Sequence, residues 1–298
     1  MTERALATGW TEVRARVPAG WGELVAGALA GGPCTSVTVE ALSDAEELVR
    51  TAIARVDDSP EHREALARAV AALAESTGDP ELGALELEFD EIPDEDWAGA
   101  WRATWRPFRV GRLCVVTPDW EGRMREGDRQ LALTPGGTFG TGRHATTRMC
   151  MQLVQEEVTE GSRVLDVGTG TGILAVTAAL FGARSALGFD VDPASRPAAV
   201  ELARENGVAE RCEFRHGGFE VLGSDEGPFE AVFANLYSDL IQEHARSLTA
   251  RLAPGGLFVV SGCPIHHLEP TRAAVVDAGI AVREVRRRGR WVTLVGSR

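Results

Sequence analysis

The sequence is expected to fold as an α/β protein, with a doubly wound, mostly parallel sheet preceded by a small α+β domain. Three observations lead there. Val164-Leu165-Asp166-Val167-Gly168-Thr169-Gly170-Thr171-Gly172 is an apolar, β-type run that ends in an acid and a glycine-rich turn, with a helical pattern after it. A second apolar run ends in Gly188-Phe189-Asp190, about 20 residues further on. Residues 1–92 instead alternate between strand and helix patterns in the order β-α-β-β-α-β.

Residues 11–18 alternate as a strand, residues 20–30 read as a short helix stopped by Gly31-Gly32, and residues 35–42 alternate again. Residues 48–56 are ambiguous but carry strand spacing at Val49, Thr51 and Ile53. Pro60 opens a helical run over 61–75, with Ser59 placed to cap it. Residues 82–92 alternate as a last strand, with Leu85, Leu87 and Phe89 on one face. This order predicts a ferredoxin-like domain over 1–92. Residues 93–127 form a connector in which Trp97, Trp101 and Trp105 share one helical face, a stripe suited to docking the connector. Within it Leu113 to Thr117 reads as a strand, and Trp120 follows a turn at Pro118. From 128 to 298 the pattern is doubly wound, with strands expected at 163–168, 185–190, 212–216, 229–235 and 256–261 and helices between them. Residues 280–287 and 291–295 read as a closing hairpin through Arg288-Gly289-Arg290. Terminal antiparallel strands of this kind point to a methyltransferase sheet rather than an all-parallel dehydrogenase sheet.

Composition bounds the function. A chain of 298 residues with 44% hydrophobic content suffices for two domains and a sizeable core. No apolar run approaches the ~20 residues needed to cross a bilayer, and no basic segment with a following apolar stretch opens the chain. A cytoplasmic protein without a membrane partner is expected. The 5 cysteines, at 34, 114, 150, 212 and 263, show neither Cys-x-x-Cys nor Cys/His metal spacing, so reduced thiols and no metal are expected. All 31 basic residues are Arg, which reads as the codon bias of a GC-rich genome. Charge is segregated: residues 1–95 hold 20 acids against 7 Arg, a net of −13, whereas residues 96–298 hold 24 of each. An acidic domain repels nucleic acid and attracts a basic partner with salt-sensitive on-rates, so no direct nucleic-acid binding is expected. A solvated acidic surface kept for solubility is the other reading of the same residues.

Gly168, Gly170 and Gly172 let the chain turn sharply and let a ligand approach without a Cβ in the way. Asp190 stands where an acid accepts the ribose hydroxyls of an adenosyl group. A dinucleotide turn would want its third glycine at 173, where Ile173 stands. Asp166, just before the turn, can hold an ammonium group. An adenosyl ligand with an ammonium and no pyrophosphate, S-adenosyl-L-methionine, fits these residues, and the domain reads as a methyltransferase. Ahead of the next helical pattern lies Thr134-Pro-Gly-Gly-Thr-Phe-Gly-Thr-Gly-Arg-His-Ala-Thr-Thr147, whose glycines and hydroxyls suit a cofactor-covering loop. Thr141 and Thr147 can hydrogen-bond a carboxylate or ribose, and Phe139 can cover an apolar face. His144 reads as a structural hydrogen-bonder rather than a base. Asn235, in Val232-Phe-Ala-Asn235-Leu236-Tyr237, is expected at a strand's carboxyl end, where open α/β sheets bind ligands. Its side-chain oxygen can accept from an amine and orient the nitrogen for methyl transfer; capping the following helix is the ordinary alternative.

Together these clusters resemble the methyltransferases of large-subunit ribosomal protein eleven, the PrmA type. That family's L-A-F-G-T-G-T-H-P-T-T loop is similar to Gly137-Thr-Phe-Gly-Thr-Gly-Arg-His-Ala-Thr-Thr147, and its D-x-G-C-G-S-G to Asp166-Val-Gly-Thr-Gly-Thr-Gly172. Its G-I-D-I-D-P is similar to Gly188-Phe-Asp-Val-Asp-Pro193, its A-N-I-L to Ala234-Asn-Leu-Tyr237, and its D-W-x-x-x-W to the segment opening at Asp96-Trp97. The resemblance covers residues 94–298; residues 1–92 resemble the family's recognition domain in pattern only. It implies a class I, Rossmann-like methyltransferase domain in which Thr147, Gly168, Asp190 and Asn235 contact S-adenosyl-L-methionine, with Phe139 to Gly142 around it. It also implies N-methylation of lysine ε-amines and an N-terminal amine on a basic ribosomal protein. The departures are Thr134 for Asp, Ala145 for Pro, Tyr237 for Leu, and Cys263-Pro264 for Ile-Leu, and they fall on the substrate side more than the cofactor side. A related enzyme acting on another protein lysine or a small-molecule amine, and a non-catalytic module on the same fold, are the competing readings. A monomer is expected.

Overall fold

The computed structural model describes residues 10–18, 21–30, 38–41, 46–54, 57–77, 82, 84–92, 107–134, 142–223 and 226–298. The tryptophan stripe at 97, 101 and 105, and Phe139 and Thr141, lie outside these residues. The chain divides into two units, residues 1–105 with 135–137, and residues 106–134 with 138–298.

In the first unit β1 (Trp10–Pro18), α1 (Gly22–Ala30), β2 (Thr38–Ala41), β3 (Glu46–Ala54), α2 (Pro60–Thr77) and β4 (Glu88–Ile92) follow the expected order. The strands form an antiparallel sheet in the order β2-β3-β1-β4, the ferredoxin-like arrangement. Alternation places Val13, Ala15 and Val17 of β1 and Val49 and Ile53 of β3 against Val25 and Leu29 of α1 and Leu66, Val70 and Ala74 of α2. Ser59 caps α2 as expected, accepting from the His62 amide at 3.2 Å. The last strand is shorter than its alternation implied. Leu82 sits in a helical turn, and residues 84–87 are irregular. Only Trp10–Arg14 of β1 pair with Ile92–Glu88. Leu82, Leu85 and Leu87 reach the core without a ladder, so burial alone accounts for their spacing.

The second unit opens with a three-stranded sheet, β5 (Phe108–Val110), β6 (Leu113–Val116) and β7 (Arg129–Ala132). Only β6 was expected; its flanking partners are too short to display a period. There follow α3 (Ala145–Glu157), β8 (Arg163–Val167), α4 (Ile173–Leu180), β9 (Ser185–Asp190), α5 (Ser195–Glu205), β10 (Cys212–His216), β11 (Phe229–Asn235), α6 (Ser238–Ala250), β12 (Leu252–Pro264), α7 (Leu268–Asp277), β13 (Ala281–Arg288) and β14 (Trp291–Ser297). Their sheet runs β10-β9-β8-β11-β12-β14-β13. The first five strands are parallel, and β14 is antiparallel to both neighbours, as the hairpin signal implied. β8 and β11 are buried along most of their length, which explains why apolar residues stand at consecutive positions such as Val164-Leu165 and Ala231 to Ala234. The chain winds outward from β8 to β10 and then returns to place β11 on the other side of β8. That reversal opens a crevice at the carboxyl ends of β8 and β11, where such sheets take ligands. β12 is longer than expected, because its end, past a register shift, continues to pair with Val292 and Trp291 of β14. Among the described residues no helix is long and apolar enough to cross a membrane.

Candidate active site

The glycine-rich turn is built from left-handed residues. Gly168, Gly170 and Gly172 have φ of 69°, 53° and 79°, a region that favours glycine. The Gly168 and Thr169 amides both donate to the Phe189 carbonyl, at 3.0 and 3.1 Å, which fastens the turn to the neighbouring strand. Space also excludes side chains. A Cβ on Gly168 would lie 2.3 Å from Leu236 Cδ2, and one on Gly172 would lie 2.7 Å from Ala199 Cβ. Gly142, in the described part of the covering loop, has φ of 78° and passes so close to Ile173 that a Cβ would sit 2.8 Å from Ile173 Cδ1.

Asp190 ends β9 and faces the turn. Its Oδ2 accepts from the Gly170 amide at 2.8 Å and its Oδ1 from the Asp192 amide at 2.9 Å. Two carboxylate oxygens have about four acceptor positions, so capacity for the hydroxyls of a ribose remains. Next to it Val191 is 71% exposed, an apolar surface suited to a purine face. Sequence reasoning passed over Val191; its place directly after the strand-end acid was the available signal.

Asp166 is fully buried on β8, and burial pushes its carboxyl up from 3.8 to about 6, against the opposing hydrogen bond from Thr169. Its Oδ2 accepts from Thr169 Oγ1 at 2.7 Å and from the Ala175 amide at 3.2 Å, tying the turn to the first turn of α4. Its Oδ1 is buried without a hydrogen-bond partner among the described residues. A buried carboxylate oxygen left bare is costly, and an ammonium donor would satisfy it. The acceptor chemistry of Asp190 and the bare oxygen of Asp166 fit the ribose and ammonium of S-adenosyl-L-methionine.

Asn235 closes β11, in register with Ser261 of β12. Its Nδ2 donates to Thr147 Oγ1 at 3.2 Å. Thr147 is buried in the first turn of α3. With the amide nitrogen engaged there, Oδ1 accepts from no described residue and remains for an incoming N–H. The contact spans 88 positions of sequence, and no local pattern announces it. Behind it Ser261 Oγ and Thr293 Oγ1 share a buried 2.6 Å hydrogen bond that steadies the ends of β12 and β14.

His144 precedes α3, with Nδ1 against Thr146 Oγ1 and its ring edge-on to Trp291 at 5.1 Å. Burial pushes its titration down to about 3, so the ring stays neutral near pH 7, a state that suits a hydrogen-bonding role. Of the departures from the family pattern, Ala145 is the first residue of α3, a position that favours Pro without requiring it. Thr134 donates to Glu205 at 2.9 Å. Tyr237 is 68% exposed. Among the described residues no group of three or more His, Cys, Asp or Glu is placed to hold a metal.

The family described as Ribosomal protein L11 methyltransferase (PrmA) matches residues 9–298. The chain is 41% identical over 204 residues to the ribosomal protein L11 methyltransferase of Pelotomaculum thermopropionicum, covering 68% of this chain and 66% of that protein. It is 34% identical over 313 aligned residues to the ribosomal protein L11 methyltransferase of Pelobacter propionicus, covering 97% and 98%. The crystal structure of ribosomal protein L11 methylase from Lactobacillus delbrueckii subsp. bulgaricus matches 65% of this chain and 99% of its own, with a TM-score of 0.60 at 26% identity. The fold is that of the class I S-adenosylmethionine-dependent methyltransferases, preceded by a ferredoxin-like unit. The chain belongs to the ribosomal protein L11 methyltransferase family.

Proposed function

We propose that the protein is a protein N-methyltransferase that modifies lysine ε-amines, the N-terminal amine, or both, on ribosomal protein L11, with Asn235 directing the acceptor nitrogen. The observation that carries this is the Asn235 amide at the end of β11, whose Nδ2 donates to Thr147 Oγ1 and whose Oδ1 accepts from no described residue. S-adenosyl-L-methionine supplies a methyl group on a sulfonium, electrophilic enough to be displaced directly by a neutral amine. The work of the chain is therefore binding, orientation and exclusion of water. Asp190 takes the ribose, Asp166 the ammonium, and the left-handed turn at Gly168 and Gly170 lies along the cofactor. Thr147 and Gly142, with Phe139 and Thr141 of the covering loop, complete the cofactor contacts. Asn235 Oδ1 accepts an N–H of the amine and so aims the nitrogen lone pair. A lysine of pKa ~10.4 must lose its proton first, and burial lowers that value. His144, neutral and turned to Thr146, is not needed as a base.

The N-terminal unit, residues 1–92, serves as the recognition domain in this proposal, with the connector at 93–127 and the transferase domain at 128–298. Exposed acids such as Glu61, Glu75 and Glu86 contribute to its net charge of −13 over residues 1–95, which favours a basic protein and disfavours nucleic acid as a direct partner. The enzyme acts as a cytoplasmic monomer. Incubation with cofactor and unmodified L11, followed by intact mass, tests the reaction: steps of about 14 Da per methyl support it, and an unshifted mass with cofactor bound removes L11 as acceptor. Steering predicts that kcat/KM falls as salt rises; a flat salt profile removes that role.

A further inference from the structure

Tyr237 is the single tyrosine of the chain, and its side chain is 68% exposed at the reaction end of the sheet. The backbone beneath it is held from several sides. The Leu236 amide donates to the Ser261 carbonyl at 3.0 Å, carrying the ladder one residue past Asn235, and the Tyr237 carbonyl accepts from the Ile241 amide at 3.0 Å. Ser238 Oγ and His267 Nδ1 share a 2.6 Å hydrogen bond. Gly262, with φ of 89°, lets the Leu236 backbone approach so closely that a Cβ would lie 2.1 Å from the Leu236 carbonyl oxygen. The Leu236 side chain turns to Gly168. Tyr237 has an extended backbone, with φ of −61° and ψ of 148°, and stands two residues after Asn235, the spacing at which alternation favours one side. Ile265, 38% exposed, is brought to the same corner, because the Ser238–His267 bond joins the start of α6 to the turn that follows β12.

A large ring that contributes nothing to the core, on backbone this firmly held, is the form of a binding residue: a rigid aromatic contact at low entropic cost. Resting on the reading of Asn235 given above, we infer that Tyr237 contacts the acceptor side chain and selects its partly methylated form. Each round forms one N–C bond, breaks the C–S bond of the sulfonium and releases one proton to solvent. The product is a larger, less hydrated ammonium that an aromatic face attracts more than it attracts the parent lysine. Retained beside Asn235, that product delays its release and so has time to lose a further proton to solvent and, as the neutral amine, take a second methyl.

The test uses the full-length enzyme and its Tyr237→Ala and Tyr237→Phe variants. Calorimetry on enzyme saturated with S-adenosylhomocysteine compares peptides of one sequence carrying lysine, monomethyl-lysine or trimethyl-lysine. Intact mass follows the distribution of methyl numbers on L11 at partial turnover. Tyr237→Ala should lose about 2- to 30-fold in affinity for the methylated peptides relative to lysine and shift the products toward single methylation. Its cofactor affinity and Tm should be unchanged, and Tyr237→Phe should behave as the native enzyme. The same peptide preference and product distribution in Tyr237→Ala as in native enzyme would overturn the proposal, and so would a Phe variant as defective as the Ala variant. Failure of the native enzyme to methylate L11 would instead strike at the substrate assignment, and the peptide series would still decide the role of the ring.

Discussion

Asp166→Asn should make the cofactor-free protein more stable and bind the cofactor worse. The carboxyl titrates at 3.8 in an unsheltered setting and at about 6 in the fold, because it is buried. An acid whose folded value is raised favours the protonated state on folding. Its contribution is therefore fully present below about pH 4 and lost as pH rises through about 6. The gap corresponds to ~3 kcal/mol of stability given up by neutral pH. An Asn oxygen can accept from Thr169 and Ala175 as Oδ2 does, while its NH2 group takes the place of the bare Oδ1 and, left unpaired, costs ~1–3 kcal/mol. The net gain at pH 7.5 is then on the order of 1 kcal/mol, and the difference between the two proteins should vary by ~3 kcal/mol between pH 4 and 7. Urea unfolding of both proteins without cofactor, across that range, measures it. Calorimetry should show cofactor binding at least about tenfold weaker in the variant, because the ammonium loses a charged acceptor. A stability difference that does not change with pH would refute the reasoning, as would unimpaired cofactor binding.

Other substitutions separate binding from turnover. Asn235→Ala should lower kcat about 100-fold or more by releasing the amine from its orientation while retaining measurable cofactor binding; unchanged turnover would refute the assigned role. Asp190→Ala should weaken cofactor binding by about 10- to 100-fold, the loss of charge-assisted hydrogen bonds worth ~1.5–3 kcal/mol, and calorimetry reads this directly. Gly262→Ala must push the Leu236 backbone aside and hold an L-residue at φ of 89°, costing ~2–5 kcal/mol in denaturant unfolding together with a drop in kcat through the adjacent Asn235; a loss below about 1 kcal/mol would show that the close approach relaxes freely.

What was legible in the sequence was what chemistry and geometry place at neighbouring positions. A turn that must be left-handed shows its glycines, and an acid at a strand end follows its apolar run, so Gly168, Gly170, Gly172 and Asp190 stood out before any fold was known. The hairpin at Arg288-Gly289-Arg290 carried the antiparallel end of the sheet in the same way. Other features depend on meetings between distant segments. The Asn235–Thr147 contact joins β11 to α3 and has no local signature. Gly262-Cys263-Pro264 reads as a strand breaker, yet β12 continues through it because β14 supplies partners as far as Trp291. Gly262 is there to admit Leu236, which only the packed sheet reveals. Asp166 was legible as an acid ahead of a glycine-rich turn; that it holds the first turn of α4 through the Ala175 amide was not.

A neutral amide at Asn235 suits the acceptor better than a carboxylate would. The nucleophile is an amine that must be uncharged, and at pH 7 about 1 in 2500 of an ordinary lysine is in that form. A carboxylate at hydrogen-bonding distance would stabilise the ammonium and raise its pKa by ~1–3, thinning the reactive fraction by about 10- to 1000-fold. An amide oxygen accepts the same N–H without that full charge, so it orients the nitrogen and leaves the proton equilibrium largely alone. Asp190 and Asp166 are engaged by other groups, Asp190 by the Gly170 and Asp192 amides and Asp166 by Thr169 and Ala175. The negative charge of the chain is likewise concentrated in residues 1–95, where it can attract a basic protein at long range, while the residue assigned to meet the amine is neutral. Long-range attraction and short-range orientation place opposite demands on charge, and under the proposed function the chain would meet them in different units.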